Sequence, residues 1–220
     1  MNNMKTKLSI ALLTSLLALS PVANANLSVN VGAINVNPDN DSSKINEAPT
    51  LGLRGDDNTQ LGITIDYSFN DNWVLELVAA TPFSHDVQGT GGLAGNKIAD
   101  IKQLPPSLIA QYHFLDSTYK FRPFIGVGMN YTTFFDEQPS AALKATLGTD
   151  DVDVKLDDSF GFAAQAGFNY MMNENWGLHG MVALIDIDTD ATVYAHGTIA
   201  ITSTVEIDAV VAMFGVTYPF

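Results

Sequence analysis

The sequence predicts an all-β protein, an eight-stranded antiparallel transmembrane β-barrel of the bacterial outer membrane. Three observations support this fold class. Apolar residues alternate with small or polar residues along several segments, which is the period of a β-strand. Short and long connections alternate between these segments, as they do in bacterial barrels. The chain ends at Phe220, an aromatic residue that closes an alternating segment over residues 210–220.

The first 25 residues are predicted to be a secretory signal peptide. Lys5 and Lys7 precede an apolar run over residues 8–19, and Ala23-Asn24-Ala25 supplies a cleavage site of small residues. The run is too short to span a bilayer as a helix. A buried N-terminal helix is the less favoured alternative. We therefore expect the mature chain to begin at Asn26 and residues 26–220 to form the barrel.

Composition narrows the class further. The chain carries 24 Asp and Glu against 10 Lys and Arg, a net charge of −14. Such an acidic chain argues against a nucleic-acid partner, because nucleic-acid binding needs a basic surface. There is no cysteine, so a secreted chain of this kind must be held by packing and hydrogen bonds, which a closed sheet supplies. After residue 25 no apolar stretch is long enough for a transmembrane helix.

The strands follow from the alternation. In the clearest case Leu61, Ile63, Ile65 and Tyr67 alternate with small or polar residues. The eight expected strands cover residues 27–37, 61–69, 73–80, 108–114, 121–131, 160–170, 176–184 and about 198–220.

The connections are expected to lie on two sides of the membrane. Short turns are predicted at residues 70–72, 115–119 and 171–175, and long acidic loops at about 38–58, 84–103, 134–157 and 188–197. Short turns are periplasmic in bacterial barrels, and an even number of strands places both termini there too. Residues 141–147 of the third loop could form a short helix.

A soluble lipocalin-like barrel is the alternative fold, since it also has eight strands but places its apolar residues inside. Periodicity alone does not separate the two. The aromatic strand ends favour the membrane barrel, because they gather next to the short turns as an interfacial girdle would. They are Tyr67, Phe69, Trp73, Phe114, Phe121, Phe168, Tyr170 and Trp176, together with terminal Phe220.

If the more apolar faces look towards lipid, the opposite faces line the lumen. The upper lumen is then apolar and lined by Val78, Ala80, Ile109, Phe124, Ala163, Met181, Ala183 and Ile185. Near the short turns the lumen is polar, and a periplasmic plug is predicted from Glu76, His113, Arg122, Asn169 and His179. Arg122 is expected to pair with Glu76, since an unpaired buried charge costs several kcal/mol.

The apolar lumen residues have two interpretations. They could fill the barrel, as in small barrels that serve only as anchors, or they could line a channel for a ligand. Pro82, Pro105 and Pro106 flank the second long loop and cannot donate to a sheet. A lateral opening of the barrel wall at this place is a hypothesis, and simple strand termination is an equally good interpretation.

No pattern in the chain indicates an enzyme or a cofactor. There is no phosphate-binding glycine motif and no nucleophile motif. His85, His113, His179 and His196 are scattered, so no transition-metal site is expected. Acidic clusters in the third and fourth loops are interpreted as a solvated rim, where divalent ions could bridge to lipopolysaccharide phosphates.

Seven segments of the chain are distinctive in combination: Thr59-Gln-Leu-Gly62, Leu75-Glu-Leu-Val-Ala-Ala-Thr-Pro-Phe83, Leu104-Pro-Pro106, Phe121-Arg-Pro-Phe124, Asn130-Tyr-Thr-Thr-Phe-Phe135, Asp158-Ser-Phe-Gly161 and Ile185-Asp-Ile-Asp188. They resemble the outer membrane protein W (OmpW) family. The resemblance implies an eight-stranded barrel with a narrow apolar channel that admits small hydrophobic molecules and releases them sideways into the membrane. It also places the channel floor near Val78 and Ala183. The barrel-assembly machinery is an expected partner through the C-terminal Phe220.

Two function classes remain open at this point. The favoured one is a passive outer-membrane channel for a small hydrophobic ligand, set in lipid and lipopolysaccharide. The other is a non-conducting structural barrel or surface receptor for adhesion, bacteriocins or phage, which acts through its acidic loops.

Overall fold

The computed structural model describes residues 26–38, 44–45, 48–91 and 94–220. The predicted signal peptide, residues 1–25, lies outside the described residues. The elements are β1 (Leu27–Pro38), β2 (Lys44–Ile45), β3 (Ala48–Gly55), β4 (Asn58–Ser68), β5 (Trp73–Ala80), β6 (Phe83–Gly91), β7 (Lys97–Leu104), β8 (Ser107–His113), β9 (Phe121–Pro139), α1 (Ala141–Leu147), β10 (Val152–Leu156), β11 (Ser159–Met171), β12 (Gly177–Ile185), β13 (Asp188–Ala195), β14 (Thr198–Glu206) and β15 (Ala209–Pro219).

Eight of these strands form a closed antiparallel barrel. Their order around the wall is β1, β4, β5, β8, β9, β11, β12 and β15. β15 pairs with β1, which closes the ring. The terminal residue takes part, because the N–H of Phe220 donates to the carbonyl oxygen of Leu27 at 2.9 Å. Closure leaves no unpaired edge in the wall, and the prediction of an eight-stranded barrel is confirmed.

The outside of this wall is an apolar belt. Large apolar side chains stand fully in the open, with 68% of Val127, 72% of Phe162 and 62% of Leu184 exposed. The inward residues of the wall strands include buried polar groups such as Asn30, Glu76 and Gln111. A soluble lipocalin-like barrel would show the reverse arrangement, so the faces are those of a membrane barrel.

We call the end of the barrel with the tight turns the short-turn end. Two of its turns use the same local device. The side-chain oxygen of Asn70 accepts from the N–H groups of Asn72 and Trp73, both at 2.9 Å. Asn173 does the same for the N–H groups of Asn175 and Trp176. An asparagine that bonds its own backbone two residues on is a typical turn former, and here it sets an exposed tryptophan at the start of each following strand.

The opposite end, which we call the long-loop end, is built differently from the prediction. Much of the sequence expected to be loop is strand. β9 runs on past the barrel and pairs with β7, while β6 pairs with β3 and β7. A separate sheet is formed by β10, β13 and β14. The acidic composition of these segments suggested loops. Several of them form strands by pairing with another connection, as β3 does with β6 and β10 does with β13, and a single segment does not reveal such a partner.

The last predicted strand is also corrected. The sequence predicts one strand over residues 198–220, but the structure has two. β14 forms a hairpin with β13 outside the barrel, and of the two strands only β15 belongs to the barrel wall. The fourth connection is therefore longer than residues 188–197. The turn at Ile207, whose N–H donates to the carbonyl oxygen of Ile187 at 2.8 Å, marks the boundary between the two.

The short helix predicted at residues 141–147 is confirmed as α1. Ser140 caps its start, with its hydroxyl accepting from the N–H of Leu143 at 3.0 Å. Gly148 ends it in the left-handed conformation, with a φ of 71°. Within residues 26–38, 44–45, 48–91 and 94–220 no helix is long and apolar enough to cross a membrane.

Candidate functional site in the barrel lumen

The residues predicted to line the upper lumen do face inward. Ala80 is half-buried and the others are buried. They pack into one apolar cluster that continues from the barrel into the strands of the long-loop end. The apolar interior is therefore continuous from the barrel to the strands above it.

A small apolar cavity lies in this part of the lumen. Its volume is about 20 Å³, which is room for a single water-sized group. The barrel in this conformation is thus nearly filled. The cavity is lined by Ile34, Val36, Val78, Ala80, Phe83, Pro105, Ser107, Ile109, Gln165, Met181, Ala183, Ile185 and Val211.

The predicted lining did not include seven of these residues, namely Ile34, Val36, Phe83, Pro105, Ser107, Gln165 and Val211. Ile34 and Val36 lie on β1 and Val211 lies on β15, two strands whose inward faces were left unassigned. The alternation along β1 did not separate its faces, because outward Asn35 is as polar as inward Asn30. Phe83 begins β6 and was expected to be part of a loop margin.

Phe83 covers the cavity from the long-loop side. It is 0% exposed, and its ring stacks on that of His85 at a centroid distance of 6.3 Å. Nδ1 of His85 lies 2.6 Å from the carbonyl oxygen of Asp56, and Nε2 lies 3.0 Å from Nε2 of Gln103. The neutral ring, with its proton on Nδ1, satisfies both contacts. Burial lowers the pKa of His85, which favours this neutral form.

Below the cavity, towards the short-turn end, the lumen is closed by a polar layer. Nε2 of Gln165 donates to Oε2 of Glu76 at 2.7 Å across the barrel. Nε2 of His113 contacts Oε1 of Gln111 at 2.9 Å. Nδ1 of His179 contacts Oδ1 of Asn169 at 2.8 Å. Four of the five residues predicted for the plug thus lie in this layer, joined by amides that were not assigned to it.

A second carboxylate belongs to the layer. Asp66 lies directly opposite Glu76 on neighbouring strands and is equally buried. Its Oδ2 accepts from Nδ2 of Asn30 at 2.9 Å, and its Oδ1 accepts from the hydroxyl of Thr64 at 3.2 Å. The inward alternation of β4 indicated Asp66 and Thr64, but nothing in the sequence signalled the contribution of Asn30.

The predicted ion pair between Arg122 and Glu76 is wrong. Arg122 lies at the short-turn end and is half-buried, and its guanidinium donates to the carbonyl oxygens of Leu115 and Asp71. It therefore ties two turns together. Glu76 is level with Ile109 along the direction of strand pairing, well above the start of β9. The tilt of the strands separates residues that are equally near to a turn in sequence.

Phe124 is also misplaced by the prediction. Its ring lies between His113 and His179, with centroid distances of 5.0 and 6.0 Å. It therefore packs in the polar layer and does not border the cavity. The aromatic ring fills the width of the barrel between two imidazoles, each of which has one ring nitrogen without a hydrogen-bond partner.

The wall near the three prolines is held by side chains. Nδ2 of Asn130 lies 3.1 Å from the carbonyl oxygen of Pro105, 3.3 Å from that of Pro106 and 3.0 Å from the hydroxyl of Ser107. On the other side, the hydroxyl of Thr81 donates to Oε1 of Gln60 at 2.9 Å. These bonds link the segments on either side of the prolines, whose own backbones supply no N–H donor.

The lumen offers binding surface rather than reactive groups. Across the described residues no three His, Asp or Glu side chains come together as a metal site. An open, solvent-facing depression of about 1260 Å³ lies at the short-turn end and is lined by turn residues and by Arg122. It is separated from the apolar cavity by the polar layer.

A family model described as OmpW family matches residues 23–220. The chain belongs to the OmpW family. Outer membrane protein W of Vibrio cholerae is 42% identical over 196 residues, which is 87% of each chain. The family and the barrels it resembles are outer-membrane proteins rather than enzymes, and the outer membrane is the location of this protein.

Two further comparisons concern fold and context. The crystal structure of OprG from Pseudomonas aeruginosa superposes with a TM-score of 0.80 at 40% identity, covering 89% of this chain and 95% of that one. A relative named "Dibenzothiophene metabolism operon protein PahQ", also from Pseudomonas aeruginosa, is 28% identical over 138 residues, which is 63% of this chain and 61% of its own.

Proposed function

We propose that this OmpW-family protein is a channel that passively admits small hydrophobic molecules into the outer membrane. The apolar cavity above a closed polar layer is the observation that carries the proposal. A molecule entering from the long-loop end meets apolar side chains and then a layer without an apolar path through it. The name of the relative PahQ supports the same substrate class, because dibenzothiophene is an apolar aromatic compound.

In this proposal the short turns and both termini face the periplasm. The polar layer then blocks direct passage into the periplasm, and a substrate leaves through the wall. The support for lateral release is the break between β7 and β8 at Pro105 and Pro106, where neither proline has an N–H to donate and Nδ2 of Asn130 contacts both carbonyl oxygens. Side-chain bonds can rearrange without separating whole strands, and this is the exit that we propose.

A second function, a structural barrel or surface receptor, is favoured by one observation. The cavity of about 20 Å³ is too small for a whole substrate, so the barrel is filled unless Phe83 or the strands around it move. In that case the acidic sheets of the long-loop end, with their lipopolysaccharide neighbours, would carry the function.

Uptake of a small apolar dye by cells distinguishes the channel from the structural barrel or surface receptor. Ala183→Trp places a large ring where the cavity is, and Val78→Arg places a charge there. Both variants should abolish protein-dependent uptake. Ala164→Trp is the matched control, because Ala164 is the outward-facing residue next to the pairing partner of Ala183 and the same bulk then points into lipid.

Membrane insertion of each variant is checked by the shift in gel mobility between folded and heated barrel. Equal uptake by wild type and by folded Ala183→Trp and Val78→Arg would overturn the channel proposal. Loss of a surface-binding phenotype on shortening the β13–β14 hairpin, with unchanged dye uptake in all variants, would support the receptor function instead.

A further inference from the structure

A second apolar cluster lies at the long-loop end, apart from the one that fills the barrel, and we call it the outer apolar cluster. Its buried members are Leu143, Val152 and Val193, and Ile98, Leu147, Val154 and Ile201 pack against them. The cluster joins α1 to the separate sheet of β10, β13 and β14. It also includes Ile98 of β7, a strand of the larger sheet. The helix therefore bridges the two sheets at the outer end of the molecule.

The outer apolar cluster is on the face of the separate sheet that looks into the lumen. Along β10, Val152, Val154 and Leu156 alternate with charged residues, and alternate residues of a strand share a face. Leu156 packs against the apolar cluster of the barrel, whereas Val152 and Val154 pack in the outer one. β10 therefore carries a continuous apolar track from beneath α1 to the lumen.

Two neighbouring strands widen this track. Val193 of β13 pairs with Val154, and Ile201 of β14 pairs with Val193. Paired residues point to the same face of a sheet, so the three side chains form an apolar row beneath α1. A small apolar molecule placed on this row would keep it away from water, as the leucines of α1 do in the closed structure.

The helix is tethered at its two ends. At its start, the N–H of Ser140 donates to the carbonyl oxygen of Ile98 at 2.9 Å; beyond its end, the N–H of His196 donates to that of Asp151 at 3.0 Å. Between these points α1 has seven residues, of which only Leu143 is buried. So short a helix is not stable alone, and segments with few buried contacts open first. Lifting α1 therefore costs less free energy than separating the paired strands around it.

We propose that small hydrophobic molecules enter the channel beneath α1 and bind first to the outer apolar cluster, with α1 as the lid of this site. This inference rests on the proposed channel function and names its entry site. A molecule that displaces Leu143 meets the apolar row of the separate sheet, and the track along β10 leads it to the cover formed by Phe83. Aliphatic side chains suit an uncharged apolar molecule, because they leave a charged or polar group without a partner.

A reversible cross-link between α1 and the sheet tests this entry site. The chain has no cysteine, so Leu143→Cys combined with Val193→Cys introduces a single pair of thiols, which a short linker that reductant cleaves can join. The cross-linked protein should lose nearly all protein-dependent uptake of the apolar dye by cells, and reduction should restore it. Trypsin separates the two positions by cleaving after Lys144 and Lys155, so mass analysis of the peptides identifies the link.

Thr192→Cys combined with Thr202→Cys is the matched control. These residues are pairing partners on β13 and β14, and they lie on the opposite face of the sheet from Val193. The same cross-link then ties the sheet without holding α1, and uptake should be kept. Leu147→Cys with Ile201→Cys is a second pair from the outer apolar cluster; it should reproduce the reversible loss and replaces the first pair if that variant does not fold.

Equal uptake by the cross-linked and the reduced protein would overturn the inference. An equal loss in the control would overturn it too, since the loss would then not depend on α1. The channel proposal is judged separately by Ala183→Trp. If that variant blocks the dye while the protein with α1 cross-linked still admits it, the channel stands and entry beneath α1 does not.

Discussion

Replacing Phe83 by alanine should open the channel. Phe83 covers the cavity and is 0% exposed. Truncating a fully buried phenylalanine to alanine costs about 3–5 kcal/mol. If that contact stabilises the closed lumen and is lost when a substrate enters, the closed-to-open equilibrium shifts by the same free energy. The lower figure corresponds to a factor of roughly 100.

Protein-dependent dye uptake by Phe83→Ala should therefore rise, by up to roughly 100-fold if opening limits the rate and by less if another step does. Phe134→Ala is the matched control. Phe134 belongs to the same apolar cluster and is 7% exposed, but it does not border the cavity. The reasoning is refuted if folded Phe83→Ala takes up dye no faster than wild type, or if Phe134→Ala gives an equal increase.

Two further predictions concern the long-loop end and the belt. Because burial lowers the pKa of His85, the unfolded hairpin binds a proton first as pH falls through the ordinary value of 6.5. The β6–β7 hairpin should therefore become more sensitive to protease as the pH falls from about 7 to about 5. His85→Gln should flatten this pH dependence of proteolysis. If the variant keeps the same pH dependence, other groups cause the effect. Val127→Arg, in the middle of the apolar belt, should destabilise the barrel in lipid vesicles by about 2–4 kcal/mol, measured by denaturant unfolding. Ala200→Arg, in the exposed strand β14, is the control and should change the stability little. Equal effects of the two substitutions would contradict the membrane position assigned to the belt.

The residues of the polar layer show the limit of prediction from alternation. Alternation correctly placed Glu76, His113 and His179 inside the barrel, because a strand turns every second side chain to the same face. Their heights in the lumen were then ordered by the number of residues that separates each of them from the nearest short turn. In a tilted barrel that distance is not height, since each strand is displaced relative to its neighbour. For this reason an ion pair between Arg122 and Glu76 was predicted, although the two residues lie at different heights in the barrel.

Partners contributed by distant strands were the second thing the sequence could not supply. The contact between Gln165 and Glu76 joins strands β11 and β5, which are not neighbours in the wall. The bonds of Asn130 to Pro105 and Pro106 depend on the register between β8 and β9. Phe83 became a cover because Pro82 breaks the strand just before it, and the direction of the chain after such a break is set by tertiary packing.

The sequence by itself determined the class of barrel, the number of its strands, its short turns and the two faces of most strands, because these depend on local periodicity and turn chemistry. Only the tertiary structure decided that the lumen is nearly filled, that its floor is an acid-and-amide layer, and that strands replace the expected loops. Those features depend on register, tilt and long-range pairing, which no local pattern encodes.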